Sequence, residues 1–329
     1  MMRWAIGIDL GGTAIKAAVV CEERGVLIDR TLLTETVSGQ AGIVGQLAAV
    51  VADLYNLACE MLDPVDFAGV GVGAPGAVDA QKGVLSYPPN LPGWGVVPLR
   101  DELQNQLLEK EKLLMPVFLD NDANAAAFGE AFYGAGRQFQ DFFMVTLGTG
   151  VGGGIILNRK LYRGTHGTAG EVGFMIINFE ATTLHAGIRG TLESFIGKKG
   201  IVDLALRMIA AHPSGSAVSK LCNNDLTKLS PIHLERAALE GDALSLALWH
   251  RVGSILGVGL ANVAALMDIR KFVIGGGIAA AGELIFVPAL DQLRCSTLPS
   301  MHEGLELVPA LLGNQAGIYG AAALCFGEP

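Results

Sequence analysis

Positive charge is scarce in this chain of 329 residues. Its 23 lysines and arginines stand against 32 aspartates and glutamates, a net charge of −9. No basic run or basic helix relieves the deficit, which argues against nucleic acid and anionic membrane surfaces as partners. Any nucleotide must then be held by local N–H groups and metal, not by a positive field. Cysteine is sparse too: Cys21, Cys59, Cys222, Cys295 and Cys325 are scattered, odd in number and never spaced as C-x-x-C. That pattern fits free thiols in a reducing cytoplasm better than disulfides or a cysteine zinc site. The N-terminus lacks a signal-peptide core, because Asp9 follows Arg3 after only five residues. One uncharged stretch, 307–327, is long enough to raise a membrane question, but Pro309, Asn314, Gln315 and several glycines interrupt it. A turn followed by a buried helix is the expectation there, in a soluble protein.

What is abundant is apolar residues, at 51% against 17% charged, and glycine, at 44 residues. This is a globular composition, long enough for two domains with real cores. Segments 4–10, 15–21 and 25–33 read as a meander of three strands, followed by a helix at about 40–61. Residues 67–73 form a strand, 97–110 a helix, 115–119 a strand and 123–133 a helix. Strand, glycine turn and strand then recur over 143–157, so that Asp9 matches Thr146 and Gly11 matches Gly148. Such a duplication points to two similar βα domains. Helices are expected near 191–211, 232–240 and 243–267, with Gly253, Gly257 and Ala261 on one helical face suited to close packing. The strand 271–274 ends in Gly275-Gly276-Gly277.

The chemistry centres on the first turn, Asp9-Leu-Gly11-Gly12-Thr13, with Lys16 just beyond it. Glycines bring bare N–H groups close to a ligand, and a concave set of them binds phosphate. Asp9 suits a hydrated Mg2+ held beside that phosphate. The second turn, Gly148-Thr149-Gly150, reads as the other half of a nucleotide cradle, though each turn alone could be an ordinary hairpin. Gly275–Gly277 is a third close-approach point, either tight packing or a wall for a nucleoside. Asp122, at a strand end before a helix, is the catalytic candidate, the carboxylate that would take a hydroxyl proton. It could equally be an N-cap, as could Asp120. Asn121 is placed as a substrate ligand. Glu171 and Glu193, flanked by glycines, could grip vicinal sugar hydroxyls or be surface carboxylates. His166 and His185 have no partner at metal spacing, and Trp94 could stack on a ring ligand or anchor its loop.

Taken in order, these motifs resemble the ROK family of sugar kinases and repressors, within the actin-like ATPase superfamily. Asp9-Leu-Gly-Gly-Thr13 with Lys16 looks like its first phosphate motif, and 147–152 like its second. Segments 71–76, 90–94, 121–126, 169–173 and 313–322 follow its remaining loops. The resemblance implies an α/β, ribonuclease H-like fold of two domains with a duplicated βββαβα core and an interdomain cleft. The smaller domain would span 1–118, completed by a C-terminal helix at about 314–329, and the larger 119–313. It further implies phosphorylation of a hexose, glucose first, at the 6-hydroxyl by Mg-ATP. Asp122 would be the base, Asn90, Asn121, Glu171 and Glu193 the sugar ligands, and Asp9 the Mg2+ holder. Gly11, Gly12, Thr13, Lys16, Gly148, Thr149 and Gly150 would take the phosphates, and Gly275, Gly276 and Gly277 the adenosine. Fructose, mannose, allose and N-acetylhexosamines remain alternatives, and relatives are commonly dimers or tetramers.

The sequence also departs from the family. Its members carry a zinc held by a histidine after Gly-Glu-x-Gly and three cysteines of C-x-C-G-x-x-G-C-x-E. Here those four positions are Phe174, Leu184, Ala186 and Thr191, so no zinc is expected. Phe174 cannot hydrogen-bond a sugar as the family histidine does. A repressor reading is the weaker one, since the chain is acidic and starts at the first strand. A sugar-binding regulator without catalysis is opposed by the intact Asp9, Lys16 and Asp122.

Overall fold

The structure is a computed structural model describing residues 2–182, 184–211, 217–223 and 225–327. The chain builds strands β1 (Trp4–Leu10), β2 (Ala14–Cys21) and β3 (Gly25–Leu33), then helix α1 (Gly39–Cys59) and strand β4 (Phe67–Ala74). A small sheet of β5 (Ala77–Asp79), β6 (Val84–Ser86) and β7 (Val96–Val97) precedes α2 (Leu99–Glu111). Strand β8 (Val117–Asn121) runs straight into α3 (Asp122–Phe132). Next come β9 (Phe142–Leu147), β10 (Val151–Leu157) and β11 (Lys160–Tyr162), then the hairpin β12 (Leu184–His185) and β13 (Ile188–Arg189). Helices α4 (Leu192–Ile196), α5 (Lys198–Ala211), α6 (Val218–Leu221), α7 (Pro231–Leu239) and α8 (Ala243–Met267) follow. The last elements are β14 (Lys271–Gly275), α9 (Glu283–Cys295), β15 (Glu306–Pro309) and α10 (Ala316–Ala323).

Two compact units result. Of the described residues, unit 1 takes 2–141, 154–170 and 310–327, and unit 2 takes the remainder. The sequence places a crossover near residue 119, but β8 pairs with β4 and so stays in the first sheet. The chain instead passes between units after residues 141, 153, 170 and 309. Residues 328–329 of the segment expected at 314–329 lie outside the described residues.

Unit 1 is built on a five-stranded sheet of order β3-β2-β1-β4-β8, with β1, β4 and β8 parallel. Strand side chains alternate between faces, and β1 uses that alternation fully. Trp4, Ile6, Ile8 and Leu10 enter a core with Ile43, Leu47, Val51 and Leu54 of α1 and Leu99, Leu103 and Leu107 of α2. Gly7 and, on β4, Gly71 face the other way. A methyl on either would strike the α10 backbone, at Ile318 O or Ala321 O respectively. α10 in turn lies against α3 through Gly129 and Gly320, each abutting the other helix's carbonyls. Where the chain re-enters unit 1, the fully buried Glu130 of α3 accepts N–H bonds from Leu311 (3.2 Å) and Leu312 (2.8 Å). It accepts another from Ala135 (2.7 Å).

In unit 2, β9, β14 and β15 are parallel neighbours. The helical stretch expected near 191–211 is two helices broken at Gly197. Gly253 and Gly257 of α8 touch Ile285, Pro288 and Ala289 of α9, the close packing their spacing anticipates. Two helical stretches, Thr36–Cys59 and Ala243–Met267, are long and apolar enough to cross a membrane. About half of each is buried within the protein (50% and 56%), as core helices are.

Candidate active site

Parallel pairing lines up the first carboxylates. Asp9 pairs in register with Gly73, and Gly73 with Asp120, so three neighbouring strands present them in one row at their carboxyl ends. That edge is where ligands of open α/β sheets bind. Beyond Asp9, the hairpin closes with Gly11 N–H donating to Ala14 O (3.0 Å). Thr34, just past the end of β3, braces it, its hydroxyl donating to Gly11 O (2.7 Å) and its N–H to Thr13 O (3.0 Å). The tip amides of Gly12 and Thr13 are what the turn presents. Gly12 has a packing reason as well, because a side chain there would strike the Asn90 carbonyl. Asn90 itself is exposed.

The Asp9 carboxylate lies 3.4 Å from Lys16 Nζ, which also donates to Asn314 O (3.3 Å). Gly317, in the first turn of α10, abuts it so closely that a Cβ would lie 3.1 Å from Asp9 Cγ. Burial pushes the Asp9 carboxyl above its ordinary value, and the Lys16 charge offsets part of the rise. A single carboxylate beside bare amides fits a hydrated Mg2+, which keeps most of its waters.

Neither Asp120 nor Asp122 caps α3. Asn121 does, its Oδ1 accepting from Ala123 N–H (2.9 Å) and Asn124 N–H (3.2 Å) while its Nδ2 donates to Gly76 O (3.0 Å). Asn is as good a cap as Asp, a signal set aside once Asn121 is read as a sugar ligand. Only the second Nδ2 hydrogen is left for that task. Asp120 is buried (1% exposed) and accepts from Asn121 N–H (2.8 Å), Asn124 Nδ2 (3.0 Å) and Arg163 Nε (2.6 Å). Asp122, at the first position of α3, accepts from Ala123 N–H (2.8 Å). The N-cap position falls to its neighbour, while the Asp122 carboxylate shares the Ala123 N–H with Asn121.

Unit 2 carries the remaining candidates. In the second glycine turn, Gly148 N–H donates to Gly150 O (2.9 Å), and Gly148 O accepts from Lys198 N–H (3.1 Å). Val151 N–H donates to Glu193 Oε2 (2.7 Å), and a Cβ on Gly150 would lie 2.5 Å from that oxygen. Glu193 therefore braces the turn directly, and a phosphate is left with the Thr149–Gly150 stretch. Glu171 is exposed as a residue, yet the protein around its carboxyl, and then repulsion from Glu193, raise its pKa. Gly275–Gly277 splits: Gly275 is buried in β14, Gly276 (φ 87°) sits against the Leu147 backbone, and nothing lies within 4 Å of a Cβ on Gly277. Packing accounts for Gly275, while Gly276 and Gly277 are both exposed and Gly277 has the more open surroundings.

At the family zinc positions, Thr191 is buried and caps α4 by accepting from Ser194 N–H (3.3 Å). Phe174 is 37% exposed and Leu184 58%. Phenyl, isobutyl, methyl and a hydroxyl spent on a cap offer zinc no soft donor. Among the described residues no three His, Cys, Asp or Glu gather for a metal. His166 is exposed and lines a cleft of ≈ 420 Å³ with Asp79, Lys82 and Ser86. The side chain of His185 lies outside the described residues. Trp94 is 7% exposed and belongs to the unit 1 core, which decides for loop anchoring.

A model of the ROK family matches residues 5–328. A glucokinase from Halalkalibacterium halodurans is 32% identical over 324 residues, covering 98% of this chain and 94% of that one. The crystal structure of a ROK family glucokinase from Streptomyces griseus in complex with glucose and AMPPNP superposes with a TM-score of 0.80. It is 33% identical, and each chain covers 98% of the other. A xylose repressor from Caldicellulosiruptor bescii is 28% identical over 80% of this chain and 64% of its own.

Proposed function

The chain belongs to the ROK family, and from that premise we propose that it transfers the γ-phosphoryl group of ATP to the 6-hydroxyl of a hexose, glucose first. An ATP-dependent sugar kinase needs three things here: a base for the hydroxyl, donors around the phosphates, and a carboxylate for the metal. The observation carrying the assignment is the cap on α3. Asn121 is the N-cap, so Asp122 is not. Asp122 is the first residue of α3, two positions beyond Asp120 of the Asp9–Gly73–Asp120 row, and its carboxylate shares the Ala123 N–H with Asn121.

Asp122 takes the proton of the 6-hydroxyl as the oxygen bonds to the γ-phosphorus. The bond from that phosphorus to the β,γ-bridging oxygen breaks, and ADP leaves with its electron pair. Gly12, Thr13, Thr149 and Gly150 present N–H groups to the phosphates, and Lys16 adds a charge next to Asp9. Asp9 would hold a hydrated Mg2+, which when bound would supply positive charge against the charge developing on the phosphate oxygens. Asn121, Glu171 and Glu193 take sugar hydroxyls, with Asn90 beside the first turn, and Gly277 gives the adenosine a flat backbone to lie on. No zinc takes part.

Phe174 in place of the family histidine favours a second reading, in which the substrate is a different hexose or an N-acetylhexosamine. An ATP-consumption assay over a panel of hexoses separates the two, and turnover with no sugar in the panel sinks both. Replacing Asp122 by Asn should abolish turnover while sugar binding, measured by calorimetry, persists. Retained turnover would show that the base lies elsewhere.

A further inference from the structure

Arg163 lies 43 residues beyond Asp120 in the chain and has no place in the readings above, yet its Nε donates to Asp120 Oδ2 at 2.6 Å. Such a bond, charged on both sides, is among the stronger kinds. Its acceptor is no surface group: Asp120 is 1% exposed, while the Arg163 side chain is 37% exposed. Asp120 Oδ1 holds the Asn121 N–H and the Asn124 amide, and so ties the end of β8 to the first turn of α3. Arg163 also opens a closed loop, its carbonyl accepting from Ala169 N–H (3.2 Å). Gly167 (φ 80°) at the loop tip rests against the Val78 carbonyl of β5.

We propose that Arg163 is a positioning residue, which holds Asp120 and through it the two residues that follow, Asn121 and Asp122. This rests on the reading of Asp122 as the base. Without its cation, the buried Asp120 carboxylate is left with two neutral donors, and an uncompensated buried charge is costly. The group then turns toward water, which loosens the Asn121 N–H, and the Asp122 carboxylate loses its fixed aim at the hydroxyl. Misplacing a reacting group by about 1 Å can cost on the order of 100-fold in rate.

The test compares Arg163→Met, Arg163→Lys, Asp120→Asn and the double variant Arg163→Met/Asp120→Asn with wild type, by steady-state kinetics and thermal midpoint. Arg163→Met should lower kcat by about 10- to 100-fold with the KM for ATP unchanged, and Arg163→Lys should recover part of it. The double variant removes the stranded charge and should regain the thermal midpoint without regaining kcat. Recovery of kcat together with the midpoint would reduce the pair to a structural bridge and overturn the proposal. So would wild-type kcat in Arg163→Met or, should that variant not fold, in Arg163→Lys and Asp120→Asn together. Asp122→Asn, run in parallel, keeps the two readings apart. If it still turns over, the base assignment fails, whereas unaltered Arg163 variants beside a dead Asp122→Asn sink only the positioning role.

Discussion

A carboxylate set near another of the same charge carries a cost in folding, and the proposed sugar ligand Glu171 shows its sign. Although Glu171 is exposed as a residue, desolvation by the protein around its carboxyl, and then the Glu193 charge, raise its pKa above the ordinary 4.5. Between that value and the raised one, the folded chain binds more protons than the unfolded chain. Stability therefore falls as pH rises through the window, and above it the ionised Glu171 is a standing cost. Glu171→Gln should raise the thermal midpoint at pH 7, and the gain should vanish below the ordinary value, where both states are protonated. Scanning calorimetry against pH reads this. The same variant should raise the KM for the sugar about tenfold or more, the scale of a hydrogen bond to a charged group. Asn121 teaches a related lesson: three of its four hydrogen-bonding positions go to the protein. The Asp-Asn-Asp string in the sequence marked a candidate strand end but not which member would cap. All three are good caps, and strand pairing that runs on to Ala74–Asn121, with the Asn121 cap bonds, settles where the helix begins.

At the scale of elements, glycine does two different jobs that look alike in one dimension. Gly71 lets α10 lie directly on β4, so Gly71→Ala forces a methyl into the Ala321 carbonyl and should destabilise by about 1–3 kcal/mol or more. Gly277→Ala meets nothing within 4 Å. It should keep the wild-type thermal midpoint and raise the KM for ATP alone. Thermal melts and ATP titrations of the two variants give opposite patterns if packing and nucleotide contact divide as described. The order and kind of elements were legible because period-two and helical patterns are local. Examples are Trp4, Ile6, Ile8 and Leu10 on one face of β1, and Gly253 and Gly257 on one face of α8. Sequence distance hid the rest. Nothing in residues 117–121 announces Arg163, and nothing in the Gly148–Gly150 turn announces the Glu193 carboxylate that holds Val151 N–H.

At the scale of the molecule, unit 1 is assembled from three separate stretches of chain. The last of them supplies α10, which covers Gly7 and Gly71, and the two amides that Glu130 binds. Removing residues 310–327 should uncover Gly7 and Gly71 where α10 lay and take from the buried Glu130 carboxyl two of its three N–H donors. Limited proteolysis should then cut within 2–141 while sparing unit 2, and equal resistance in both units would contradict it. The same arrangement sets a clock on biosynthesis. When residue 141 leaves the ribosome, the glycine face of the first sheet has been made, but the helix that covers it is about 175 residues away. At about 5–20 residues per second, that face waits on the order of 10–35 s. A nascent chain that long uncovered is one for chaperones to hold, and stalled synthesis near the end would release a first unit that cannot close.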